Sequence, residues 1–211
     1  MDVELNLRAS RSMPFSSKSV GINLIGESLK GIFESLENEG FCEPEHKAFA
    51  VKSPQFSWAQ MRGAYPHLGP EMGSTGESAA LGNTLDEALL KSWLGVQPNK
   101  VPEKGILIYG NSNTQYLIDA AKRFSKKHRI YTIEGAGIYG DKLSKEKAKE
   151  MIKEGEISLF ITDGNAMGFD YEIRRLAVDM NVPIVLNGRL GSALSKAFNA
   201  KAGIEEMKHY W

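Results

Sequence analysis

This chain of 211 residues lacks most of the devices that mark secreted, membrane-bound or nucleic-acid-binding proteins. It has one cysteine, Cys42. An internal disulfide and a cysteine-rich metal centre are therefore excluded, and Cys42 reads as a partly buried thiol in a reducing compartment. No apolar run approaches the ~20 residues needed to cross a bilayer. The acidic, polar N-terminus lacks a signal-peptide pattern. Lys plus Arg and Asp plus Glu balance at 26 each, so non-specific attachment to nucleic acid has no electrostatic support. The four histidines, His46, His67, His128 and His209, are scattered without metal-ligand spacing. No internal repeat is present. What is left is a soluble cytoplasmic protein, long enough for one good core or two small ones.

The second half carries a regular pattern. Ile106–Tyr109, Arg129–Ile133, Ile157–Thr162 and Val182–Leu186 are short apolar runs that read as buried strands. Between and after them, residues 114–127, 144–154, 169–180 and 190–200 read as helices, with Ser144 as an N-cap. Strands alternating with helices predict a small, doubly wound α/β domain with a parallel sheet covered on both faces. The first half is irregular α+β: a strand near 2–6, a helix from Ile22 to Glu37, then mixed strand and loop. Thr84-Leu-Asp-Glu87 is a capping box opening a helix that stops at Gly95. The stretch 95–104, with two prolines, a glycine and few apolar residues, reads as a linker. It divides the chain into 1–98 and 99–211.

Residues 4–18 hold the densest chemistry. Glu4 and Asn6 alternate along the expected strand, so both point to one face. A carboxylate and an amide oxygen there are hard ligands suited to Mg²⁺ beside a nucleotide phosphate. Arg8 and Arg11 follow, and arginine suits bidentate phosphate contacts. The segment handles a polyphosphate and its metal, yet Met1 leaves no preceding chain to hold a nucleotide.

Three blocks resemble the C-terminal portion of the carbamoyl-phosphate synthase large subunit family. Glu4-x-Asn6-x-Arg8-x-x-Arg11 with Pro14-Phe15-x-x-Lys18 resembles the end of its second ATP-grasp unit. Leu68-Gly-Pro-Glu-Met72-x-Ser74-Thr-Gly-Glu77 is similar to the segment that closes that unit. Gly168-Phe-Asp-Tyr-Glu-Ile-Arg-Arg-Leu-Ala177 resembles the methylglyoxal-synthase-like domain, which binds allosteric effectors in the family. The resemblance implies that Glu4 and Asn6 bind Mg²⁺, that Arg8 and Arg11 are catalytic residues at the transferred phosphate, and that Lys18 contacts the ATP. It implies a ligase making carbamoyl phosphate from bicarbonate, ammonia drawn from glutamine, and ATP. An ATP-grasp clamp needs two lobes, so this chain is not expected to turn over alone. Its partners would be the remaining ATP-grasp part and, through it, the glutaminase subunit.

In a doubly wound sheet, ligands bind beyond the C-terminal ends of the strands. Four loops meet there, bringing Asn111 and Thr114, Glu134 and Gly135, Asp163 and Asn165, and Asn187 to one rim. Helix N-termini and backbone amides make such a rim attractive to anions. The family resemblance implies a Thr-x-Gly-Thr phosphate loop after the second strand, but this chain has Ile133-Glu-Gly-Ala136. Thr114 stands where the family often has lysine. A carboxylate at Asp163 repels phosphate. Methylglyoxal synthases follow the equivalent aspartate with a Pro-His pair, which is missing here, so lyase chemistry is disfavoured and Asp163 reads as an N-cap. His67 reads as a packing or surface residue in a turn. Glu71 and Glu77 read as structural, pairing with arginines. Arg174-Arg175 reads as half salt bridge, half surface, and Tyr210-Trp211 as an aromatic end that docks.

Two functions follow from the sequence. In one, the chain is a split subunit or fragment that completes the second ATP-grasp site in trans and carries a regulatory domain. In the other, it is a stand-alone effector-binding or interaction protein with a degenerate allosteric site and no catalysis.

Overall fold

A computed structural model describes residues 8–33, 48–69, 73–110, 115–134, 138–163, 170–201 and 203. The strand expected near 2–6 and the aromatic end at 210–211 lie outside these residues.

The first half opens with two short helices, α1 (Met13–Val20) and α2 (Leu24–Phe33). Pro14 sits in the first turn of α1, where its missing N–H costs no hydrogen bond. Gly21 ends the helix at φ 69°, a left-handed conformation that glycine adopts without strain. This helix was not anticipated, because Ser-Met-Pro-Phe-Ser-Ser has no apolar period. The helix expected over 22–37 is present as α2, and its continuation past Phe33 lies outside the described residues. Strands β1 (Phe49–Gln55) and β2 (Gly76–Gly82) pair antiparallel over their full length. Lys52 joins this ribbon to the helices. Its ammonium donates to Ser12 Oγ at 2.6 Å and pairs with Glu77 at 2.8 Å. Glu77 thus has a structural partner, a lysine rather than an arginine.

Helix α3 (Leu85–Leu94) packs on this ribbon. The capping box is present: Thr84 Oγ1 accepts from Glu87 N–H at 3.2 Å, and Glu87 reaches back to Asn83 N–H at 2.8 Å. A bond from Lys91 is the main cause that holds the Glu87 carboxyl below its ordinary range, with the Asn83 N–H adding to it.

Five parallel strands follow: β3 (Gly105–Tyr109), β4 (Ile130–Ile133), β5 (Asp141–Leu143), β6 (Ile157–Thr162) and β7 (Ile184–Val185), in the spatial order β5-β4-β3-β6-β7. Helices α4 (Gln115–Phe124), α5 (Lys145–Lys153), α6 (Tyr171–Asp179) and α7 (Gly188–Ala197) flank them. Helices α4 and α7 pack on each other, as do α5 and α6, which gives one pair per face. Ser144 caps α5 by accepting from Lys147 N–H at 3.2 Å. β3, β4 and β6 are buried along their whole length. This is the expected α/β domain, with β5 as an edge strand not seen in the sequence. The chain moves outward from β3 to β5, then returns to β6 on the other side of β3. The order reverses between β3 and β6, and such a switch point opens a crevice beyond the strand ends.

The stretch expected as a linker is fastened down. Gln97 N–H donates to Gln55 Oε1, and Gln55 Nε2 donates to the Gln97 carbonyl, both at 2.9 Å. Trp93 Nε1 donates to the Lys100 carbonyl at 3.0 Å, and Val96 is buried. Leu89, Leu90 and Trp93 of α3 share one core with the sheet, and the Trp93 ring meets Phe198 at 6.0 Å.

Candidate functional site

At the β3/β6 switch point the strand ends Tyr109 and Thr162 are paired, which brings Gly110 and Asp163 together. The Asp163 carboxylate lies so close to Gly110 that a Cβ at 110 would collide with it and with Leu117. Gly110 is therefore required by close approach rather than by a turn. Beside it a buried ionic network fills the crevice floor. Asp170 Oδ2 accepts from Thr162 Oγ1 at 3.0 Å and from Arg174 Nε at 2.8 Å, and Arg174 Nη2 pairs with it at 2.7 Å. Arg174 is 1% exposed. Burial, together with the nearby Asp170 charge, raises the Tyr109 phenol above its ordinary range. The Thr162 hydroxyl is thus bonded inward to Asp170.

The other rim residues are placed as follows. Glu134 is exposed just past β4, with its N–H bonded to the Leu143 carbonyl. Asn187 is the N-cap of α7, its side chain accepting from Leu190 N–H at 3.1 Å. Arg189 lies over the Tyr116 ring and donates to its hydroxyl at 3.2 Å. Arg189 ends the Asn187–Arg189 loop expected at the rim, and its contact with Tyr116 joins α7 to α4. Asn111, Thr114, Gly135 and Asn165 lie outside the described residues.

Arg174 and Arg175 correct the expectation that they are half surface, for Arg175 too is buried. Together they clamp the loop preceding the Leu68–Glu77 block onto α6. Arg175 Nη1 donates to the carbonyls of Trp58, Met61 and Ala64 at 3.0, 3.2 and 2.9 Å, while its other side pairs with Asp179. Arg174 Nη1 donates to the Pro66 carbonyl, and Tyr171 Oη to the Gly63 carbonyl. Tyr65 stacks on His67 at 5.5 Å and meets Tyr171 at 5.1 Å, with the Arg174 guanidinium 5.6 Å from its ring centre. His67 is an exposed stacking residue, as its turn implied. A run of carbonyls facing one way is a partial negative charge, and a guanidinium with its five donors fits it better than any other side chain.

A cavity of about 670 Å³ lies where the two halves meet, reaching Leu186 and Leu190 on either side of the Asn187–Arg189 loop. Its wall includes Phe56, Trp58, Trp93, Val182 and Leu190, with Phe56 and Trp58 stacked at 4.2 Å. Its polar side chains include amides and hydroxyls, and among the described residues no ionisable side chain lines it.

At the other end of the chain, Arg8 and Arg11 precede α1, both exposed, with no hydrogen bond or ion pair among the described residues. Lys18 is exposed on the last turn of α1, seven residues from Arg11. Glu4 and Asn6 lie outside the described residues. The described members of this set, Arg8, Arg11 and Lys18, are exposed cations.

No protein-family profile matches the chain. Over 201 residues it is 54% identical to the carbamoyl phosphate synthase large chain of Saccharolobus solfataricus. Over 200 residues it is 53% identical to that of Sulfolobus acidocaldarius and 52% identical to that of Sulfurisphaera tokodaii. The chain is homologous to a portion of the carbamoyl phosphate synthase large chain. Each match takes in 93% of this chain and 19% of the relative. The chain therefore spans about a fifth of the length of the curated relatives it matches. A match of this extent on a carbamoyl phosphate synthase large chain takes in nearly all the elements described above. No helix among the described residues is long and apolar enough to cross a membrane.

Proposed function

We propose that this chain acts as part of a carbamoyl phosphate synthase large chain, completing an ATP-grasp site whose other lobe is supplied by the remainder of that large chain. In this reading, Glu4 and Asn6 hold Mg²⁺, Arg8 and Arg11 face the transferred phosphate, and Lys18 contacts ATP. The nucleotide with its metal, once bound, would supply the phosphoryl group used in making carbamoyl phosphate from bicarbonate and ammonia. Residues 1–98 are the ATP-grasp part and 99–211 the regulatory, methylglyoxal-synthase-like part, working in the cytoplasm and, through the large chain, beside a glutaminase subunit. The observation that carries the reading is the 54% identity over 93% of a chain that matches only 19% of its relative. Arg8 and Arg11, charged and open, support it.

The test is physical association. The chain is mixed with the Saccharolobus solfataricus large chain from which the matched stretch has been deleted, and the mixture is run through size exclusion with light scattering. A one-to-one complex is expected. Two species that elute as they do separately would contradict the proposal.

The cavity at the junction favours a second role, as a holder of a regulatory ligand. Its aromatic wall and amides suit a neutral group, whereas the rim has a carboxylate at Asp163 and lacks the hydroxyls of a phosphate loop. Thermal shift with UMP and IMP separates the two places. A ligand at 100 times its dissociation constant stabilises by about 2.7 kcal/mol, and no such shift is expected below millimolar nucleotide. A clear shift there would show that the rim takes phosphate after all.

A further inference from the structure

Neither α1 nor α2 buries a single residue. On α2, Ile25, Leu29, Ile32 and Phe33 fall within an arc of about 100° when each residue turns the helix by its share of 3.6 per turn. Ile22, just before the helix, extends the row. All five are exposed, Ile32 at 71% and Phe33 at 82%. The charged pair Glu27–Lys30 lies off this stripe. A soluble protein rarely leaves a continuous apolar row uncovered. A ten-residue helix is also too short to persist in water without packing against something. Among the described residues, α2 packs on α1, and the pair is tied to the rest by the Lys52–Ser12 bond.

We infer that the Ile22–Phe33 stripe of α2 is the surface on which the remainder of the large chain docks. The inference rests on the proposed function and names the place where that assembly forms. Two observations choose this occupant. The relatives carry about four-fifths of their length beyond the matched stretch. The stripe also follows directly on Arg8, Arg11 and Lys18, the exposed cations that must face the other lobe, so an interface closing over the stripe brings that lobe to them. A second copy of this chain covering the stripe would leave the cations without the lobe they serve.

The experiment uses Leu29→Glu and Ile32→Glu, both at exposed positions, with Lys30→Ala as a control off the stripe. Each is titrated against the large chain lacking the matched stretch. Binding is expected to weaken at least 100-fold for the two glutamate variants and to hold for Lys30→Ala. Equal binding by all of them, where the unsubstituted chain binds, overturns the docking surface and leaves the proposed function standing. No binding by the unsubstituted chain overturns both. Two further measurements on the free chain identify rival occupants. A dimer that Leu29→Glu dissolves would assign the stripe to a second copy. Strong protection of α2 amides from hydrogen exchange in the monomer, unchanged on binding, would assign it to the chain's own residues.

Discussion

Arg174→Ala is expected to lower the unfolding free energy by about 3–5 kcal/mol, because it leaves the Asp170 carboxylate buried without its counter-ion. Asp170 is 3% exposed and the pair is bonded twice, so water cannot take over. For a chain of this length that loss corresponds to a fall in Tm of about 6–20 °C. Asp170→Asn is expected to fall short of this, since an amide oxygen still accepts from Thr162 and Arg174. A double variant, Asp170→Leu with Arg174→Met, recovers part of the loss, since two apolar side chains need no compensation. The coupling between the two positions, read from urea denaturation of the unsubstituted chain, Asp170→Leu, Arg174→Met and the double variant, is the decisive quantity. Independent, additive effects would contradict the buried network. Arg175→Ala acts differently. It frees three carbonyls in a partly exposed loop, so amides near 57–66 exchange faster while the sheet stays protected.

The same residues show where sequence stops informing structure. Features carried by a few neighbours were legible. The Thr84–Glu87 box, the Ser144 cap and the β6 strand each depend on side chains within four to six positions, and each stands where the sequence put it. Arg174 and Arg175 looked like half-solvated charges because their partners are Trp58, Met61, Ala64 and Pro66, more than a hundred residues earlier. The cavity wall is likewise drawn from the ribbon, the 96–99 stretch and β7, a grouping no local pattern announces. β5 was missed because Asp-Lys-Leu has no apolar run and is a strand only through its pairing with β4. For residues 4–18 the residue types and spacing suggest a polyphosphate and its metal, and the family resemblance assigns the individual roles; Glu4 and Asn6 lie outside the described residues, and Arg8 and Arg11 are exposed.

Arg11→Ala is expected to lower kcat of the completed synthase by about 10²–10³-fold, the loss typical of removing one donor that stabilises transition-state charge. The side chain is exposed and bonds nothing among the described residues, so Tm and assembly should not change. Arg11→Lys keeps the charge but loses the bidentate fork, and intermediate activity is expected. A drop in kcat without a change in complex formation separates a phosphate-contacting role from a structural one. Equal kcat for all three forms would remove Arg11 from the site.

Carbamoyl phosphate formation by the reassembled protein decides whether this chain completes the synthase. The chain, the large chain lacking the matched stretch, and an equimolar mixture of the two are each supplied with ATP, Mg²⁺, bicarbonate and ammonia. Background product is expected from either part alone and turnover from the mixture. Turnover by this chain alone, or a complex that forms and stays at background, would contradict that expectation.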